Sequence, residues 1–188
     1  MTRTCRLAAT ALLAASPVLA EADAVPAPRA LVVRGGVTAY LVGGLNGPED
    51  GFAFVAFERT VARWLELELS VGHGFANVHD TGTHVGVAAR VPLLASDSGR
   101  HVLFTGAGST LALGGAYGSV PFARVELGYE LRLGGFNLVA AAGSAVALRT
   151  SRTPPALQQG SWSVFSEEGP FHAGDTGPSF QVAAGWAL

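Results

Sequence analysis

Nine charged side chains fall at alternate positions along the chain and could act together. Four are arginines (Arg34, Arg90, Arg124 and Arg132) and five are glutamates (Glu58, Glu66, Glu68, Glu126 and Glu130). A pair of carboxylates can run acid and base chemistry. A guanidinium, however, presents a planar fork that grips carboxylates two-pronged, so the four arginines and five glutamates can satisfy one another. Glu66 and Glu68 lie two apart on one strand face and need cations from neighbouring or opposite strands. A polar plug is therefore favoured over a gated pore or a catalytic carboxylate pair.

Two other groupings are weaker. His73, His79 and His84, with Asp80, carry imidazole and carboxylate groups that suit transition metals. Their spacings of six and five residues match no compact ligand motif. His73 and Ser109 could supply a base and a nucleophile, but such a pair needs hydrogen-bond reach and an orienting third group. Neither spacing nor motif provides one. No pattern calls for a metal or another cofactor, and the chain is read as non-enzymatic.

The elements that must position these groups are strands. In Trp64–His73, Leu65, Leu67, Leu69 and Val71 share one face while Glu66, Glu68 and Ser70 share the other. Val120–Leu133 repeats the pattern, with Val125, Leu127, Tyr129, Leu131 and Leu133 opposing Arg124, Glu126, Glu130 and Arg132. A period of two defines a strand with one apolar face. Eight such strands are expected: 31–42, 52–59, 64–73, 83–92, 101–113, 120–133, 136–149 and 179–188. The second is the shortest and ambiguous in phase, because Phe52 and Phe54 oppose Val55 and Phe57. Pro92, Pro121 and Pro178 fall at strand ends, where a missing N–H is tolerated.

The front of the chain reads as an export signal over residues 1–20. Arg3 and Arg6 precede the apolar run Leu7–Ala15, and Val18-Leu19-Ala20 offers small residues for cleavage. Cleavage would remove Cys5, the single cysteine, so disulfide and thiol chemistry drop out. Residues 21–29 form a polar, proline-containing lead-in on the periplasmic side, and 30–188 form one domain. The 12 basic residues are all arginine and face 14 acidic ones. That balance offers no basic patch for nucleic acid.

Which face meets solvent separates two barrels. A soluble lipocalin-like barrel, exported and holding an apolar ligand, turns its apolar face inward. A membrane barrel inverts this. The polar faces here are mostly Gly, Ala, Ser and Thr, a poor coat for a soluble protein. Phe57, Tyr129, Phe136 and Trp186 also cluster near one set of strand ends, as interfacial aromatics do. Connections alternate between tight joins and longer, turn-rich ones, with Gly114–Ser119 as a short exception. Short periplasmic turns and longer outer loops characterise transmembrane barrels.

The last strand, Ser179–Leu188, resembles the assembly signal of bacterial outer-membrane barrels through Gln181, Ala183, Trp186 and Leu188. It departs from that pattern at Ala183, where glycine is usual, and at Leu188, where an aromatic is commoner. The whole mature chain is similar to the small eight-stranded outer-membrane barrels, the type of the outer-membrane protein A membrane domain and outer-membrane protein X. That resemblance implies an all-β, eight-stranded antiparallel up-and-down transmembrane barrel in the bacterial outer membrane. Its partners would be membrane lipids, lipopolysaccharide and the barrel-assembly machinery, and the barrel would be monomeric and structural. Some barrels of this size modify lipid A, which leaves a third, enzymatic alternative. The loop Thr150–Pro178 carries Trp162, Phe165 and Phe171, aromatic candidates for recognising an extracellular partner.

Overall fold

In the computed structural model, residues 31–42, 50–74, 82–113, 120–151 and 171–188 are described. They form eight strands: β1 Val32–Tyr40, β2 Asp50–Ala62, β3 Leu65–Gly74, β4 Thr83–Ala95, β5 His101–Leu113, β6 Pro121–Leu133, β7 Phe136–Ala147 and β8 Thr176–Ala187. Each pairs antiparallel with its sequence neighbours, and β8 returns to β1, so the sheet closes into a barrel. Closure leaves no unpaired edge. The seam is regular from Val32↔Ala187 to Tyr40↔Ser179. Beyond it, the Leu188 amide donates to the Leu31 carbonyl at 2.9 Å.

Three tight turns lie at the rim that holds Leu31 and Leu188, called the near rim below. They are Arg63-Trp64, Ser96–Arg100 and Gly134-Gly135. Gly134 has φ 63°, a left-handed conformation that glycine adopts without Cβ strain and that two-residue hairpins require. The connections at the far rim fall largely outside the described residues, as do the expected signal and lead-in.

Several sequence expectations need correction. The second strand is not the shortest: β2 has 13 residues and β1 has 9. Its phase is now fixed. Phe52, Phe54, Ala56 and Glu58 are buried, whereas Val55 and Phe57 are exposed. Pro92 sits inside β4, where the β4–β5 ladder slips between Pro92 and Leu94. A bulge of this kind accommodates the missing N–H. β8 begins at Thr176, so Pro178 is its third residue rather than a flanking one.

The alternation seen in sequence separates inside from outside. Every strand exposes large apolar side chains: Val37 on β1, Phe57 on β2, Leu69 on β3, Val87 on β4, Leu111 on β5, Leu127 on β6, Leu138 on β7 and Val182 on β8. The opposite parity is buried in the lumen. Toward the far rim the lumen is aromatic. Tyr40 packs on Phe52 and Phe122 at centroid distances of 5.8 and 5.3 Å, and Phe171 meets Phe122 edge-on at 5.4 Å. Tyr40 also exchanges a hydrogen bond with Thr110 across the lumen, from β1 to β5, at 3.0 Å.

Candidate functional site

The charged half of the lumen is the chemically distinctive feature. Arg34, Glu58, Glu66, Glu68, Arg90, Arg124, Glu126, Glu130 and Arg132 are all buried there. They come from β1, β2, β3, β4 and β6 because in each strand they occupy the inward parity. β5 supplies Gly106 and Gly108 instead. A Cβ on Gly106 would stand 3.0 Å from the Glu126 carboxylate, so the glycine makes room for the charge beside it.

The nine charges form one connected network. Arg34 donates from Nη1 to Glu58, from Nη2 to Glu130 at 2.8 Å, and from Nε to the Asn137 side-chain oxygen at 2.9 Å. Arg90 reaches Glu58 at 2.7 Å, Glu68 at 2.8 Å and Glu126 at 3.6 Å. Arg124 stands 3.5 Å from both Glu68 and Glu126. Arg132 pairs with Glu130 at 2.6 Å and crosses the lumen to Glu66 at 3.2 Å. An eight-stranded interior is just wide enough for its own side chains to fill. A buried charge without its partner costs several kcal/mol, so mutual contact is what makes the interior tenable.

Packing fixes Arg90 further. Its guanidinium carbon lies 5.0 Å from the centre of the Phe104 ring, a cation–π arrangement. The tip of the same Phe104 ring covers Gly128, where a Cβ would collide with it. Gly128 is therefore a positioning residue for Phe104 and, through it, for Arg90. Sequence reading missed both. The only available signal was a glycine interrupting the charged row of β6.

The remaining candidates are placed as follows. Phe57, Tyr129 and Trp186 are exposed and Phe136 half-buried, on the outer face toward the near rim. Trp186 lies 6.0 Å from Phe136. Trp64 belongs with them: it is exposed in the β2–β3 turn, although sequence periodicity counted it as the start of a strand. Gln181 and Ala183 point inward, whereas Trp186 and Leu188 are exposed.

Phe171 corrects an expectation. It is 3% exposed, packed on Phe122, and its carbonyl accepts from the Ser151 amide at 2.8 Å. An inward anchor that closes the aromatic layer replaces the expected exposed recognition aromatic. Trp162 and Phe165 lie outside the described residues, as do His79 and Asp80. His84 is buried and stacked on Phe52 at 4.4 Å, while His73 is exposed, so these two imidazoles do not converge. Among the described residues, no cluster of three His, Cys, Asp or Glu side chains could hold a metal.

His73 and Ser109 do not meet either. They pair with Thr83 and Val87 on opposite sides of β4, four residues apart or roughly 13 Å along the strand. No protein-family model matches the chain, and no curated protein matches it by sequence.

Proposed function

We propose that this chain is a structural outer-membrane β-barrel, monomeric and closed by its own interior. The single observation that carries this reading is the inverted exterior. Every strand turns apolar side chains outward, and nine charged residues are buried inside. Soluble monomers rarely expose contiguous apolar patches larger than a few hundred Å². Here the apolar surface continues around the closed sheet. Lipid would cover that band, with Trp64, Tyr129, Phe136 and Trp186 at its near-rim edge. A tilted strand of 9–11 residues crosses a hydrocarbon core, and the strands here have 9 to 13.

The soluble alternative needs an open apolar calyx. The apolar part of this lumen is filled by Tyr40, Phe52, Phe54, Phe122 and Phe171. The charged part offers no apolar ligand a favourable surface. A lipid A-modifying enzyme needs an assembled nucleophile and base, which the separation of His73 and Ser109 does not provide.

In this reading the near rim faces the periplasm. The last strand, through Gln181, Ala183, Trp186 and Leu188, is the segment offered to the barrel-assembly machinery. Lipopolysaccharide surrounds the far rim. Residues between Thr150 and Pro178, with Trp162 and Phe165, are the segment available to an extracellular partner.

Fractionation of expressing cells, followed by detergent-gel migration with and without boiling, tests the proposal. The expected result is protein in the outer-membrane fraction that migrates faster unboiled. Protein in the soluble periplasmic fraction would sink it. Reconstituted into planar bilayers, the barrel should show no steady conductance, and Arg124→Ala with Arg132→Ala should lower its melting temperature without opening a channel.

A further inference from the structure

We infer that one sector of the near rim binds the headgroups of anionic phospholipids. This rests on the membrane reading above and adds a lipid preference to it.

The outward parity of the strands is almost free of charge. Apart from His73 and His101 at strand ends, the one side chain on it that is charged at neutral pH is Arg59, three residues from the near-rim end of β2. Its neighbours on that face are Phe57, Val61 and, across the ladder, Leu67, all exposed. Arg63 lies in the next turn beside exposed Trp64, and Arg100 in the turn between β4 and β5. All three arginines are exposed, and no ion pair among the described residues involves any of them.

The contrast with the lumen gives this weight. Every buried arginine has carboxylate partners at short range, while the three near-rim arginines share the outer side of their sector, among the described residues, with a single exposed carboxylate, Asp97. The other half of the rim, from β6 to β8, carries Gly134, Gly135, Phe136 and Trp186 and, among the described residues, no charged side chain outside the lumen. Positive charge is thus concentrated over β2–β5, at the lower edge of an apolar band.

The chemistry that fits is a phosphate at the depth where hydrocarbon ends. Arg59 can lay its methylene stem along Phe57 and Leu67 and extend its guanidinium toward the headgroups. Arginine binds phosphate oxygens two-pronged, and Trp64 occupies the interfacial level where an indole is favoured. The occupant is a phospholipid of the leaflet that meets the near rim, with net negative headgroup charge.

The test uses the whole barrel, refolded into phosphatidylcholine vesicles that contain phosphatidylglycerol. Brominated phosphatidylglycerol and brominated phosphatidylcholine are compared as quenchers of tryptophan fluorescence, with boiling-sensitive migration as the folding control. Near an anionic surface each arginine contributes roughly fivefold in association. Preferential quenching by phosphatidylglycerol is therefore expected. It should weaken at high salt and vanish in the R59Q/R63Q/R100Q variant while folded migration persists.

Equal quenching by the two lipids, or a preference that survives in the variant, overturns the inference and leaves the membrane reading standing. A preference erased by millimolar inorganic phosphate also overturns it, because the site would then be one for free anions. Failure to enter vesicles of either composition overturns both.

Discussion

Glu58 and Glu68 stand directly opposite each other in the β2–β3 ladder, and the guanidinium of Arg90 reaches both, at 2.7 and 2.8 Å. Like charges at facing positions destabilise a sheet. Here the repulsion becomes the binding site for one shared cation. Arg90 holds β2, β3 and β4 together and, through Glu126, leans toward β6.

Removing that cation should be expensive. Arg90→Ala removes the cation that the two facing carboxylates share and leaves each with one partner, Arg34 for Glu58 and Arg124 for Glu68; breaking a buried pair costs about 3–5 kcal/mol. Urea unfolding in vesicles should show a loss of that size. Replacing Glu68 by Gln in the same chain should recover part of it, because the variant then buries one carboxylate fewer. A loss below about 1 kcal/mol, the worth of an exposed ion pair, would mean that the network is not buried in the folded barrel.

Phe171 should behave as a core residue. Its ring closes the aromatic layer against Phe122, and its backbone meets both the amide and the hydroxyl of Ser151. Truncating a buried phenylalanine costs about 3–5 kcal/mol. Phe171→Ala is therefore expected to destabilise the barrel by that order and to speed proteolysis between Thr150 and Pro178. Unchanged unfolding would return Phe171 to the recognition role that its position in the sequence suggested.

The outer face separates a lipid surface from a watery one. Leu127 is 53% exposed at mid-strand in β6, with Val125 and Tyr129 on the same face. In a bilayer midplane an outward arginine costs about 2–4 kcal/mol, whereas on a soluble barrel it is nearly neutral. Leu127→Arg should slow insertion into vesicles and lower stability there by that amount. A variant that folds in lipid as well as the parent would contradict the membrane assignment.

Much of this was legible in the sequence, for physical reasons particular to each strand. β3 and β6 alternate leucine, valine or tyrosine with charge, so their two faces announce themselves, and the nine charges share the parity that the barrel buries. β2 did not yield its phase because Phe52 and Phe54 are inward aromatics on a strand whose outer face is also apolar. Alternation cannot sort two greasy faces. Phe171 misled for a related reason. Its neighbours are loop-forming, and only the tertiary contact with Phe122 draws it inward. Gly128 and Phe104 were unreadable because their relation to Arg90 crosses β4, β5 and β6, and no local pattern encodes it.

Gln181 links the lumen to the resemblance in the last strand. It is 2% exposed, faces Thr38 across the seam, and neither its amide nitrogen nor its amide oxygen has a hydrogen-bond partner among the described residues. Leaving a buried polar group unsatisfied costs about 1–3 kcal/mol. Gln181→Leu is expected to raise stability toward urea by about that amount in refolded protein. If the residue is held for recognition by the assembly machinery, the same variant will accumulate more slowly in the outer membrane of cells. Lowered stability in vitro would show instead that Gln181 has a structural partner.

The network draws its charges from β1, β2, β3, β4 and β6, with Asn137 added from β7, while β8 turns Ser179, Gln181, Ala183 and Gly185 inward. Pairing of the interior charges therefore does not wait for the final strand. A sheet of seven strands, curled far enough for Arg34 to reach Glu130, would already hold every ion pair of the network. It would present a slot bordered by the backbones of β1 and β7. Closure then becomes a problem of hydrogen-bond register, with the ion pairs already made. A chain arrested at that point would be a nearly finished barrel with one open side, able to accept any strand of suitable alternation that reached it first.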